Sequence, residues 1–133
     1  MTAAPTVRQL RLVVTTGDFD EALHFYRDVL GMPEAFAVGS DGGRVVILEA
    51  GRATIELADP GHAEYIDELE VGHRVAGHIR ICLEVDDAME ATGRATAAGA
   101  RLIAAPVPTP WGSLNSRLDG PAGLQLTLFS GDE

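Results

Sequence analysis

The chain has 133 residues, 46% of them apolar, with 20 acidic against 10 basic side chains and a formal charge of −10. That length suits one domain with a real core, and no run of about 18 uncharged apolar residues is present to span a membrane. The acidic surplus argues against nucleic acid, whose binding rests on basic surface that neutralises phosphates; it fits a solvated surface, or a preference for cationic ligands.

Residues Met1 to Gln9 lack the positive start and apolar block of a secretory signal. The lone Cys82 excludes an internal disulfide and a cysteine-built zinc site. Together these predict a protein of the reducing cytoplasm.

In chain order, an apolar strand running from Arg11 leads to Asp18, a candidate N-cap with Glu21 three residues on, in an approximate capping box. A helix is predicted over Phe19–Leu30, with Ala22, Leu23, Phe25, Tyr26, Val29 and Leu30 as its apolar stripe, stopped by Gly31 and Pro33. Strands follow at Ala35–Val38, Arg44–Ala50 and Ala53–Ala58, joined by turns at Asp41 to Gly43 and Gly51 to Arg52. The segment Asp59–Gly77 reads as a packed connector or a lid, with a short helix over His62–Glu70 whose inner face is Tyr65, Ile66 and Leu69.

The pattern then repeats. Arg80 opens a second apolar strand ending in Asp86, a helix is predicted over Asp87–Ala98, and strands follow at Arg101–Ala105, Ser113–Leu118 and Leu124–Phe129. A turn falls at Asp119 to Gly123. The offset holds near 70 residues: 69 from Arg11 to Arg80, 71 from Glu56 to Thr127. The chain is therefore expected to be an α+β fold and a single domain, 1–133, with a βαβββ module over 7–58, a connector over 59–77 and a second module over 78–130.

Strand alternation sorts the side chains onto two faces. Leu10, Leu12 and Val14 oppose Arg11, Val13 and Thr15; Ile55 and Leu57 oppose Thr54, Glu56 and Ala58. Ile79, Ile81, Leu83 and Val85 oppose His78, Arg80, Cys82 and Glu84; Leu124, Leu126 and Leu128 oppose Gln125, Thr127 and Phe129. Each strand has one apolar and one mixed face. A solvated sheet face is one reading of the mixed side. With Val13, Cys82 and Phe129 on it, a cleft lining is the better one.

Four stretches carry a resemblance: Gly17-Asp18 leading to Phe25-Tyr26 and Leu30-Gly31, Ala53 to Leu57, Gly77 to Ile81, and Pro110-Trp111-Gly112 followed by Asp119 to Gly123. In this order, on a duplicated frame, the chain resembles the vicinal oxygen chelate superfamily (glyoxalase, bleomycin resistance, dioxygenase). The resemblance implies two tandem βαβββ modules forming a curved mixed sheet around a cleft, commonly in a homodimer. It also implies that metal-dependent members hold a divalent ion with four cleft residues. Those positions fall on Arg11, Glu56, Arg80 and Thr127. Only Glu56 is a ligand type, since a guanidinium has no lone pair to give. His78, two residues before Arg80 on the same face, would enter only after a register shift. No metal and no cofactor are expected.

Arg11, Glu56 and Arg80 then have three readings. They form a buried ion-pair brace; or one arginine pairs with Glu56 while the other offers its fork to a ligand oxygen; or Glu56 is a catalytic general base beside arginines that stabilise an enolate. The resemblance places Trp111 at the cleft mouth, able to stack on a planar ligand. The expected function is metal-free binding of a small molecule, a natural product or antibiotic to be sequestered, with Arg11, Val13, Glu56, Arg80, Cys82, Trp111, Thr127 and Phe129 as the ligand-binding set. The alternative is a superfamily enzyme (lyase, isomerase or dioxygenase) that works through Glu56 or a non-standard metal site.

Overall fold

A computed structural model describes residues 6–29, 31–120 and 123–131. Leu30 of the expected helical stripe and Pro121–Ala122 of the expected turn lie outside the described residues. Eight strands form one mixed sheet in the order β2-β3-β4-β1-β5-β8-β7-β6. They are β1 (Gln9–Thr15), β2 (Glu34–Ser40), β3 (Gly43–Ala50), β4 (Ala53–Ala58), β5 (Ile79–Glu84), β6 (Arg101–Pro108), β7 (Leu114–Asp119) and β8 (Gln125–Ser130). Within each half the first strand runs parallel to the last, β1 with β4 and β5 with β8, while β1 and β5 join the halves antiparallel. This is the expected α+β fold of two βαβββ units around a curved sheet.

Each unit places a helix on the convex face. Asp18 caps α1 (Phe19–Leu23) by accepting from the Glu21 amide at 3.2 Å. The predicted helix does not continue regularly: His24–Val29 winds as a π-helical segment. Its wider turn leaves Phe25 and Val29 exposed, so the buried stripe narrows to Phe19 and Leu23, which pack with Val46, Leu48 and Leu57. In the second unit the cap of α3 (Ala88–Ala97) is Asp87, whose side chain accepts from the Glu90 amide, and Asp86 pairs with Arg8. Ala88 and Ala91 pack there with Val85, Leu118 and Leu128.

The two helices leave the middle of the convex face bare. Leu10 and Ile79, on the apolar faces of their strands, are 41% and 47% exposed. Alternation assigned their face correctly but does not say how far a helix reaches.

The connector helix, α2 (Pro60–Glu70), packs against β3, β4, β6 and β7. Asp59 is its N-cap, and Pro60 at the first position forfeits no hydrogen bond. Gly43 (φ +82°) makes the docking possible, because a Cβ there would lie 2.2 Å from the His62 amide nitrogen. The buried face of α2 is Ala63, Ile66, Asp67 and Glu70, at i, i+3, i+4 and i+7, and not Tyr65, Ile66 and Leu69. The helix thus turns two carboxylates inward. Their partner is Arg117 of β7, 0% exposed, which gives Nη1 to Asp67 at 2.8 Å and Nη2 to Glu70 at 2.7 Å. The amides of Val75 and Ala76 donate to Asp67 Oδ2, both at 2.9 Å, and Asn115 donates to Glu70 Oε2 at 2.8 Å. The buried ion-pair brace exists, but at Arg117 rather than at Glu56.

Burial alone would raise the Asp67 carboxyl; the Ala76 and Val75 amides and the Arg117 guanidinium outweigh it and hold the group below the usual carboxylate range. Its stabilisation is therefore complete above about pH 4 and is lost as pH falls through the depressed folded-state value. Arg117→Met should lower stability by about 3–5 kcal/mol in urea unfolding at pH 7, since two buried carboxylates lose their partner. Asp67→Asn should also be less stable at neutral pH, and should lose stability less steeply than the native chain below about pH 4.

Candidate functional site

On the concave face the four central strands bring the mixed-face residues together. Val13 pairs with Glu56 on one side and Arg80 on the other, and Cys82 sits between Arg11 and Thr127. Above them opens a cleft of about 840 Å³. Its far wall is β2 and β3, through Phe36, Val38, Val45 and Ile47; α2 closes one side with His62, Tyr65 and Ile66. Every residue of β2 is exposed, and its apolar side chains Phe36 and Val38 line the cleft.

Six of the eight expected site residues line this cleft: Arg11, Glu56, Arg80, Cys82, Trp111 and Phe129. The other two lie deeper. Val13 bounds a second, smaller cavity of about 10 Å³, together with Glu56 and Arg80, and Thr127 is fully buried. Trp111 is 52% exposed on a tight β6–β7 loop. That loop is fixed by Thr109, whose amide and hydroxyl both donate to the Ser113 carbonyl, at 2.8 and 3.1 Å.

The two arginines differ. Arg11 donates through Nε to Thr54 and through Nη2 to Gln9, lies 5.5 Å from the Phe129 ring centroid, and stands 3.6 Å from Glu56. That last distance is an ion pair longer than a hydrogen bond. Arg80 is 7% exposed and makes no ion pair among the described residues. Its Nη1 donates to Thr127 Oγ1 at 2.7 Å and to Cys82 Sγ at 2.8 Å. Nε has no partner, the one such buried side-chain atom among the described residues. Burial alone would lower the Arg80 pKa; Cys82, once ionised, and the carboxylates Glu70, Glu56 and Asp67 more than reverse that, and at neutral pH the carboxylates alone act on a guanidinium that stays charged. Burial pushes the Cys82 thiol up, which keeps it a neutral donor or acceptor at pH 7.

The four family metal positions do not fit a divalent ion. Arg11 and Arg80 offer only donors, and Thr127 is already held by Arg80. His78 precedes β5, is exposed and lines neither cavity, so no register shift brings it in. Among the described residues no three His, Cys, Asp or Glu side chains gather as metal ligands, and no helix is long and apolar enough to cross a membrane.

Asp67, Glu70, Asn115 and Arg117 were not singled out from the sequence, though Glu70 and Asn115 line the cleft. The signal was present for two of them. Asp67 and Glu70 share the i, i+3, i+4, i+7 face with Ala63 and Ile66.

Residues 8–128 match the family model of the Glyoxalase/Bleomycin resistance protein/Dioxygenase superfamily, and the chain belongs to that superfamily. Among solved structures it is similar to a hypothetical protein of Bacillus halodurans C-125 (19% identity, 98% of this chain and 97% of that one, TM-score 0.71). It is equally close in fold to a methylmalonyl-CoA epimerase of Mycobacterium tuberculosis (20% identity, 100% and 94%, TM-score 0.71). A superfamily member from Vibrio splendidus 12B01 aligns at 14% identity over 95% of this chain and 100% of its own, with TM-score 0.64. No protein of curated function matches the chain.

With Arg11 and Glu56 both partly exposed and 3.6 Å apart, Glu56→Gln should cost less than about 1 kcal/mol in the same urea assay. A loss as large as that of Arg117→Met would restore Glu56 as a structural brace.

Proposed function

We propose that this protein binds a small, largely apolar molecule in its cleft without a metal ion, and that it sequesters that molecule. The observation that carries this reading is the pairing of a roomy, aromatic-walled cleft with a polar floor in which one carboxylate stands among two guanidinium groups. The volume of about 840 Å³ lies within the roughly 300–1,000 Å³ of small-molecule sites, which combine apolar walls with a few convergent polar groups. Trp111, Phe129, Tyr65 and Phe36 supply the walls; Arg11, Glu56 and Arg80 supply the floor.

A second reading is favoured by one observation. The Glu56 carboxylate lines the cleft and, among the described residues, makes no hydrogen bond and one ion pair, the 3.6 Å contact with Arg11, so it is available to take a proton from a bound substrate. Such an enzyme would be a lyase or isomerase, or a dioxygenase drawing its metal from a site elsewhere. Turnover lost in Glu56→Gln with binding retained would establish it. We further propose that the protein forms a homodimer, with the bare apolar strip around Leu10 and Ile79 as the covered face. Sedimentation should then give twice the chain mass.

Trp111 is the sole tryptophan, so its emission reports directly on the cleft mouth. Titration with bleomycin, flavonoids and anthracyclines should give saturable one-to-one quenching by at least one class, weakened roughly tenfold by Trp111→Ala. Zn²⁺, Ni²⁺, Mn²⁺ and Fe²⁺ should leave the melting temperature unchanged. Stoichiometric metal in protein purified without chelator, or a metal-dependent rise of several degrees, would overturn the metal-free reading.

A further inference from the structure

The hydrogen bonds of Arg80 are one-sided. Nη1 is pinned by Thr127 and Cys82, while Nε and Nη2 donate to no protein group among the described residues. The Nε–Nη2 edge is the side of a guanidinium that makes paired donations to oxygen. Pinning Nη1 fixes the plane of the group and therefore the direction of that edge. Arg80 bounds both the open cleft and the cavity of about 10 Å³ beneath it, a space that takes about one water-sized atom. A buried, charged, oriented donor left unpaired is costly, and one acceptor oxygen placed there removes the cost.

The surrounding charges select the kind of oxygen. Asp67 and Glu70 already have their cations, Arg117 for both and Arg74 at 3.9 Å from Asp67, and Arg11 stands 3.6 Å from Glu56. Glu56 bounds the same two cavities as Arg80, so an anion on Arg80 would be placed beside a like charge, whereas an uncharged oxygen would not.

We infer that the Nε–Nη2 edge of Arg80 is the polar anchor of the cleft, and that it takes an uncharged carbonyl oxygen of a planar ligand rather than a carboxylate or phosphate. This deepens the small-molecule reading and rests on it.

Three planar probes of one ring system separate the cases: 9-fluorenone, fluorene, and fluorene-9-carboxylate. In ¹⁵N–¹H correlation spectra the Arg80 Nε–H signal is assigned by its loss in Arg80→Lys. 9-Fluorenone should shift that signal in the native protein and should bind roughly tenfold or more tightly than either other probe, read from Trp111 emission. Arg80→Met should abolish the preference for 9-fluorenone over fluorene. If that variant does not fold, the native Nε–H shift still decides. Quenching of Trp111 with an unmoved Nε–H signal overturns the anchor and leaves the cleft reading standing. Tighter binding of the carboxylate, or no binding by any of the three, overturns the anchor as well. The cleft reading is then judged on its own panel of natural products.

Discussion

The contact on which the site depends is the buried cluster of Arg117, Asp67 and Glu70. It ties α2 to the second half of the sheet, at positions about 50 residues apart in sequence, and α2 in turn forms one wall of the cleft. A purely apolar helix face would have buried comparable surface with less demand on geometry. The charged face fixes the helix at a definite position, since each carboxylate oxygen has its own donors: Val75, Ala76 and Arg117 for Asp67, Asn115 and Arg117 for Glu70. The loop after α2 is ordered by the same carboxylate that orders the helix.

That cluster also changes how Arg80 should be regarded. Asp67 and Glu70 share the buried Arg117, the half-exposed Arg74 stands 3.9 Å from Asp67, and the field of both carboxylates also reaches the buried Arg80. The floor of the cleft and the anchor of α2 therefore belong to one electrostatic unit.

Much of this was legible in the sequence, and for identifiable reasons. A duplicated strand-helix-strand pattern shows itself by repetition, and period-two alternation is enough to put Arg11, Glu56, Arg80 and Thr127 on one face. The failures share a different cause. Apolar spacing points to Tyr65, Ile66 and Leu69 as the inner face of α2, whereas Asp67 and Glu70 are buried through Arg117, a partner that only tertiary structure supplies. The π-helical winding at His24–Val29 leaves no mark in a periodicity that tolerates it. The exposure of Leu10 and Ile79 depends on where two helices stop, which strand alternation does not encode.

The antiparallel seam between β1 and β5 has a bearing on how such a chain could arise. Each half, taken alone, ends in an open strand whose amides and carbonyls on one side find no neighbour. In this sheet β1 and β5 fill that role for each other across six residue pairs, from Gln9–Glu84 to Val14–Ile79. A lone half would therefore have had another copy of itself as its best complement. Fusion of two such copies keeps the seam and frees the halves to diverge: the first half retains a carboxylate at Glu56 where the second carries Thr127, so the floor of the cleft is no longer symmetric.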